Sequence, residues 1–349
     1  MKNKIKVIHV PEICKYNEFI SRTEEIQENS NIEVLKPNIC IDGDDDGTKN
    51  LKDVLKYTNS VNERVVVHFH WPEKLYKDLD YETFKDTILK LKDNNIKLVK
   101  TIHNLTPHEV IAEDKKKEDL LIENLDGIIL FSKSQLKTYQ KVKKYNGKAT
   151  VIPHPNYKVE ENIKEDKPNQ DFVLCIPGRI RKYKQTDIIL RVLELLKDYN
   201  VKVVIVGKPD DLESVERLKK YSNDNLKYNF NFVSSKELEK YIFDSDMVLL
   251  THKYIWTSGI AILTANLGTT LIGTLPKIFE EFDSNQIGYF LKSGEDMTAE
   301  KMADLIKKAI SEGKEEVYIK GNTLKKILNK NNDELIGNLY KRFYEELFQ

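Results

Sequence analysis

The chain has 349 residues, 56 Lys+Arg against 56 Asp+Glu, and 40% hydrophobic content, a length that suits two domains of ordinary size. Zero net charge argues against nucleic acid as the main partner. Three scattered cysteines (Cys14, Cys40, Cys175) fit a reducing compartment, the apolar part of MKNKIKVIHVPE is too short for a signal peptide, and no apolar run approaches the ~18 residues of a bilayer span.

Short β-rich apolar runs predict strands over Lys4–Val10, Ile32–Lys36, Arg64–His70, Lys97–His103, Gly127–Ser132 and Lys148–Pro153. Helical spacing falls between them, as over Tyr81–Asn94 and Ser134–Lys143. Residues 156–171 lose apolar content and read as a linker. The alternation then restarts with strands over Phe172–Pro177, Val201–Gly207, Leu226–Phe232, Asp246–Thr251, Thr269–Gly273 and Gly288–Leu291. A last helix, 331–349, carries an apolar stripe through Ile336, Leu339, Tyr340, Phe343, Tyr344, Leu347 and Phe348, the pattern of a helix packed on a core. The expected fold class is α/β, with two doubly wound parallel-sheet domains, 1–155 and 172–330.

Ligands of such sheets bind at the carboxyl ends of the strands. In the first series these ends carry imidazoles: His9 in KVIHV, His68 and His70 in HFHWPE, and His103 and His108 in TIHNLTPHE. Four histidines in two matching windows predict a lined crevice. The H-x-H pair finds no third or fourth metal ligand by spacing, so no metal is expected there. Asp42, Asp44, Asp46, Gly47 and Asp53 fall at calcium-loop positions, but a strand-like segment precedes them and a Lys interrupts them, so a solvated acidic loop is expected. In the second series, Gly178 follows a strand and leads to Arg179 and Lys184. Thr257, Ser258 and Gly259 precede an apolar helix. Cations and free backbone N–H groups at a helix start suit a diphosphate.

With these motifs the chain resembles the GT-B glycosyltransferases over nearly its whole length. Gly178, Arg179 and Lys184 are similar to that family's diphosphate clamp. TIHN resembles the segment whose histidine, here His103, contacts the donor sugar, and VIPHPNY, which holds His154, resembles the crossover before the linker. HFHWPE, TIHNLTPHE, GRIRKYK and TSG together resemble bacterial inverting β-glycosyltransferases, β-mannosyltransferase-like, of exopolysaccharide and glycolipid assembly. The resemblance implies two domains facing a cleft, the first for acceptor and the second for nucleotide sugar. Retaining members carry two carboxylates around the donor-site helix, and Ile255 and Leu263 stand at those positions here.

The expectation is therefore transfer from a GDP- or UDP-sugar to a saccharide or lipid-linked saccharide, with inversion, without a metal or cofactor, and without nucleic acid. Glu109, His108 and Glu73 are the candidate bases. His103, His154, Arg179, Lys184, Thr257, Ser258 and Gly259 are the candidate donor ligands, and His9, His70 and Trp71 the acceptor ligands. The expected location is the cytoplasm, with peripheral contact at the inner face of the membrane as the lipid-linked acceptor would require. A retaining transferase or a non-catalytic nucleotide-sugar-binding partner of the same fold are the alternatives.

Overall fold

The computed structural model describes residues 4–10, 18–36, 51, 54–58, 64–72, 79–93, 96–105, 112–159, 171–181, 188–221, 224–291 and 297–349. The chain divides into two units, Met1–Pro155 with Asn331–Gln349, and Asn156–Lys330.

Unit 1 is built on β1 (Lys6–Val10), β2 (Glu33–Val34), β3 (Val65–Phe69), β4 (Lys97–Thr101), β5 (Gly127–Leu130) and β6 (Lys148–Val151). All are parallel, in the order β2-β1-β3-β4-β5-β6. The five residues of β3 are all buried, as expected for a central strand covered on both faces. Its helices are α1 (Glu18–Asn29), α2 (Tyr81–Asp93), α3 (Ala112–Asn124) and α4 (Lys133–Val142). The sheet order reverses between β1 and β3, so the switch point of this unit lies at the carboxyl ends of those two strands. Register pairs His9 of β1 with His68 of β3.

Unit 2 repeats the plan with β7 (Phe172–Pro177), β8 (Val201–Val206), β9 (Leu226–Asn229), β10 (Met247–Leu250), β11 (Thr270–Thr274) and β12 (Gly288–Leu291), in the order β12-β11-β10-β7-β8-β9. Helices α5 (Ile188–Leu195), α6 (Leu212–Lys220), α7 (Ser235–Phe243), α8 (Gly259–Leu267), α9 (Ser284–Ile287) and α10 (Ala299–Leu328) complete it. Here the order reverses between β7 and β10. The long α10 breaks at Gly313, where φ 87 and ψ 164 leave the helical region. The first linker residues are held within unit 2: Tyr157 N donates to Asn266 Oδ1 at 2.9 Å, and Asn266 Nδ2 donates to Asn156 Oδ1 at 3.0 Å.

The chain then re-enters unit 1 as α11 (Asp333–Leu347). Its stripe of Ile336, Tyr340, Phe343, Tyr344 and Leu347 joins Ile5, Val7, Ile26, Val66, Val99 and Ile129 in one buried cluster. Arg22 of α1 binds Asp333 through both carboxylate oxygens, at 2.7 and 2.8 Å, and Glu25 at 2.5 Å. That network fixes the start of α11 on α1. The predicted strands are present in order, but most end one to three residues early. His70 and His103 stand just past the ladder, where their backbone N–H groups bond to Val10 O and Thr101 O.

Candidate functional site

At the β1/β3 switch point unit 1 holds a run of side-chain hydrogen bonds. His70 Nδ1 meets His103 Nε2 at 3.2 Å, and His70 Nε2 meets His9 Nδ1 at 2.7 Å. His9 Nε2 meets Gln27 Oε1 at 2.8 Å, and Gln27 Nε2 donates to the Tyr344 hydroxyl at 3.1 Å. Tyr344 meets His68 Nδ1 at 2.7 Å, and His68 Nε2 meets Thr101 Oγ1 at 2.7 Å. The Gln27 carbonyl can only accept, so His9 carries its proton on Nε2. That choice fixes every other tautomer: His103, His70 and His68 also carry theirs on Nε2, and each neighbour accepts on Nδ1. Rotating the Gln27 amide reverses all six bonds together and again satisfies every group. The relay is therefore neutral and closed in either sense. A second proton on an interior histidine would set two N–H groups head to head.

Burial acts in the same direction. It holds the imidazoles of His68, His70 and His103 well below the usual histidine range, with neighbouring imidazoles adding to the effect. Burial also lowers His9, and it lowers His154 to about 4. His154 Nδ1 donates to Pro155 O at 2.7 Å.

Phe19 of α1 organises the open end of this run. Its ring lies 4.8 Å from His103, 5.0 Å from His154, 5.5 Å from His70 and 5.6 Å from Phe131, and Trp71 stacks on His103 at 4.1 Å. His103 and His154 are 8% and 7% exposed, against 0% for His68 and 1% for His70. The sequence expectation that His9 and His70 line a crevice for an acceptor thus meets a different placement. Both are interior, and their ring nitrogens are committed to Gln27, His103 and each other. Neither has surface to offer a sugar. Trp71 is half-buried.

His9, His68 and His70 offer ligand atoms that lie within 4.8 Å of one another, a set able to hold a metal ion. Binding one would break at least two bonds of the relay and place charge in a buried site that has no carboxylate in the set, so the donor set suits the neutral relay better. Glu109, His108, Glu73, Lys184 and the acidic loop Asp42–Asp53 lie outside the described residues.

In unit 2, both sequence motifs follow the two strands of the switch point. Gly178 and Arg179 follow β7, and Thr257, Ser258 and Gly259 follow β10. Ser258 is the N-cap of α8, and its hydroxyl accepts from Ala261 N at 3.2 Å. The ordinary capping role is thus present, and it leaves other first-turn N–H groups of α8 outside the helix ladder. Arg179 and Arg181 both bind Asp210, the former through Nε at 3.1 Å and the latter through Nε at 3.0 Å. Hydrogen bonds from Arg179, then Arg181, hold the Asp210 carboxyl below the usual range. Two guanidinium groups on one carboxylate leave one net positive charge at this edge. Arg181 and Asp210 carry no signal in the sequence, because Asp210 is 31 residues from Arg179.

The turns after β7 and β8 approach closely. Gly207 has φ 138, and a Cβ there would lie 2.5 Å from the Gly178 carbonyl oxygen. Replacing Gly207 with Ala is expected to push the Arg179 turn out of place. Weakened nucleotide binding, with little change in the far-UV spectrum, is the expected readout.

Residues 158–326 match the family model "Glycosyl transferases group 1". No curated protein matches the sequence. Among solved structures, sucrose-phosphate synthase from Thermosynechococcus elongatus is 13% identical, with a TM-score of 0.74 and coverage of 99% of each chain. Anabaena HepE in complex with UDP and glucose is 13% identical, with a TM-score of 0.69 over 98% of this chain and 100% of that one. A glycosyltransferase from Rickettsia africae is 13% identical, with a TM-score of 0.70 and full coverage of both chains. These likenesses establish the GT-B fold.

Proposed function

We propose that this chain, which has the GT-B fold and matches the group 1 glycosyltransferase model over residues 158–326, is a glycosyltransferase that moves a sugar from a GDP- or UDP-sugar to a saccharide or lipid-linked saccharide, with inversion and without a metal. The observation that carries this reading is the placement of both motif loops of unit 2 at its switch point, within the matched family segment. The solved HepE complex with UDP and glucose supports a nucleotide-sugar donor.

Diphosphate departure calls for positive charge and N–H donors. Arg179, Lys184 and the amides of Thr257, Ser258 and Gly259 supply them in this reading, with Asp210 holding Arg179 ready. His103 and His154 hold the donor sugar. As neutral imidazoles they offer hydrogen bonds to sugar hydroxyls. Trp71 offers a ring face to the acceptor. His9 and His70 have a positioning role instead: they tie the tautomer of His103 to the orientation of the Gln27 amide. Inversion is supported by Ile255 and Leu263, 5% and 6% exposed, standing where retaining members carry carboxylates.

The base is assigned to Glu109 first, then His108 and Glu73. Glu109→Gln is expected to reduce transfer by at least a hundredfold while leaving nucleotide binding intact. Unchanged turnover would remove Glu109 from the role. The anomeric configuration of the product, read by NMR with an α-linked donor and EDTA present, tests the stereochemistry. A β product is expected, and an α product would overturn inversion.

A further inference from the structure

Tyr157 precedes β7 in the chain, yet unit 2 places its side chain on the first turn of α8. Its backbone is tied to the other end of that helix. Tyr157 N donates at 2.9 Å to Oδ1 of Asn266, a residue 3% exposed. Asn266 Nδ2 donates in turn to Asn156 Oδ1 at 3.0 Å, and Asn156 Nδ2 donates to Leu328 O at 3.1 Å. From this anchor the ring reaches back along α8, from Asn266 toward Gly259, a stretch of about 10 Å of helical rise.

A Cβ at Gly259 would lie 2.9 Å from the Tyr157 hydroxyl oxygen and 3.9 Å from its Cζ. Cβ positions on a helix tilt toward its N-terminus. The hydroxyl therefore flanks the first turn on the side where the amides open. Gly259 is a slot, and the phenol oxygen occupies the room its missing side chain leaves. Ser258 Oγ already takes the Ala261 N–H. The N–H groups of Gly259 and Ile260 meet no partner among the described residues. The phenol oxygen thus sits beside the first turn without accepting from it, so it does not cap the helix. Two amide donors and one phenol donor share an end of α8 that favours negative charge.

We propose that Tyr157 is a further ligand of the nucleotide diphosphate, donating its O–H to the phosphate oxygen that the first-turn amides of α8 receive. The proposal rests on the diphosphate reading of this switch point and adds a residue to it. An O–H on a charged phosphate oxygen makes a short, strong bond, and a Phe ring in the same place makes none.

The test is isothermal titration of UDP and of GDP into wild type, Tyr157→Phe, Gly259→Ala and the double variant. Tyr157→Phe should weaken whichever diphosphate binds by about tenfold or more, the range of hydrogen bonds to charged groups, with little change in the melting temperature of the nucleotide-free protein. Gly259→Ala should weaken it by a similar factor, because its methyl group displaces the hydroxyl. In the Tyr157→Phe background the same methyl group meets only Cζ at ordinary contact distance, so the double variant should bind no worse than either single one. Affinity of Tyr157→Phe equal to wild type, or losses that add in the double variant, would overturn the proposal. A lowered melting temperature with affinity unchanged would overturn it by assigning the hydroxyl to the fold. Failure of both nucleotides to bind wild type would remove the diphosphate reading itself and Tyr157 with it, a result distinct from wild-type binding that Tyr157→Phe leaves intact.

Discussion

Between pH 7.5 and pH 5, unit 1 is expected to lose most of its stability while unit 2 keeps its own. Five buried histidines of unit 1 have pKa values lowered by burial. Their unfolded value is about 6.5. Above that pH neither state binds the protons and nothing changes. Below it the unfolded chain takes up protons that the folded chain refuses, so stability falls as pH falls, down to the folded pKa, about 4 for His154. The limiting slope is about 1.4 kcal/mol per pH unit for each histidine, or about 7 for five. Total domain stability is on the order of 5–15 kcal/mol. Urea unfolding at pH 7.5, 6.5, 5.5 and 5.0 measures it. Unit 2 holds His252 as its one histidine, so its transition serves as the internal control. A flat unit 1 stability across this range would mean that the imidazoles are solvated, and the relay would be wrong.

The second large effect separates two tyrosines one turn apart on α11. Tyr340 and Tyr344 are both 0% exposed. Tyr344 accepts from Gln27 and reaches His68 in the relay. Tyr340 lies beside Thr23, but its hydroxyl meets no partner at hydrogen-bond geometry among the described residues. Tyr344→Phe leaves a buried amide donor and a buried imidazole nitrogen unpaired, which costs about 2–5 kcal/mol. Tyr340→Phe removes an oxygen that was already unsatisfied, so it is expected to be neutral or stabilising. Paired thermal melts decide. Equal losses would show that the tyrosines act through packing alone, and the relay would carry no energy.

This pairing also marks what the sequence could not reveal. The strands were legible because their apolar runs are continuous, and Phe172–Pro177 and Gly288–Leu291 coincide with β7 and β12. The ends of others ran long because His70 and His103 extend apolar runs after the backbone has left the ladder. The α11 stripe was legible as a core face, and its aromatic residues do pack on the unit 1 sheet. Strand ends and helical spacing placed the histidines near one edge, and His68 and His70 do share a face, with ring centroids 4.3 Å apart. Whether an imidazole faces solvent or a partner was not legible. The partners of His9 and His68 are Gln27 and Tyr344, the second 276 residues away from His68. Gln27 gave one faint signal, a polar residue beside Ile26 on the buried face of α1. In unit 2, Asp210 and Arg181 were invisible for the same reason, whereas the Ser258 cap was readable from local residue types.

The measurement that bears most directly on the transferase reading is a thermal-shift panel with UDP, GDP, ADP, CMP and dTDP, each with and without EDTA, on wild type and Arg179→Ala. A ligand that binds only the folded state raises its apparent stability, by about 2.7 kcal/mol at a hundred times Kd. One uridine or guanosine diphosphate is expected to raise the melting temperature equally with and without chelator, and Arg179→Ala should abolish the shift. No shift with any nucleotide, or a shift that Arg179→Ala leaves unchanged, would contradict a diphosphate site at the β7/β10 switch point.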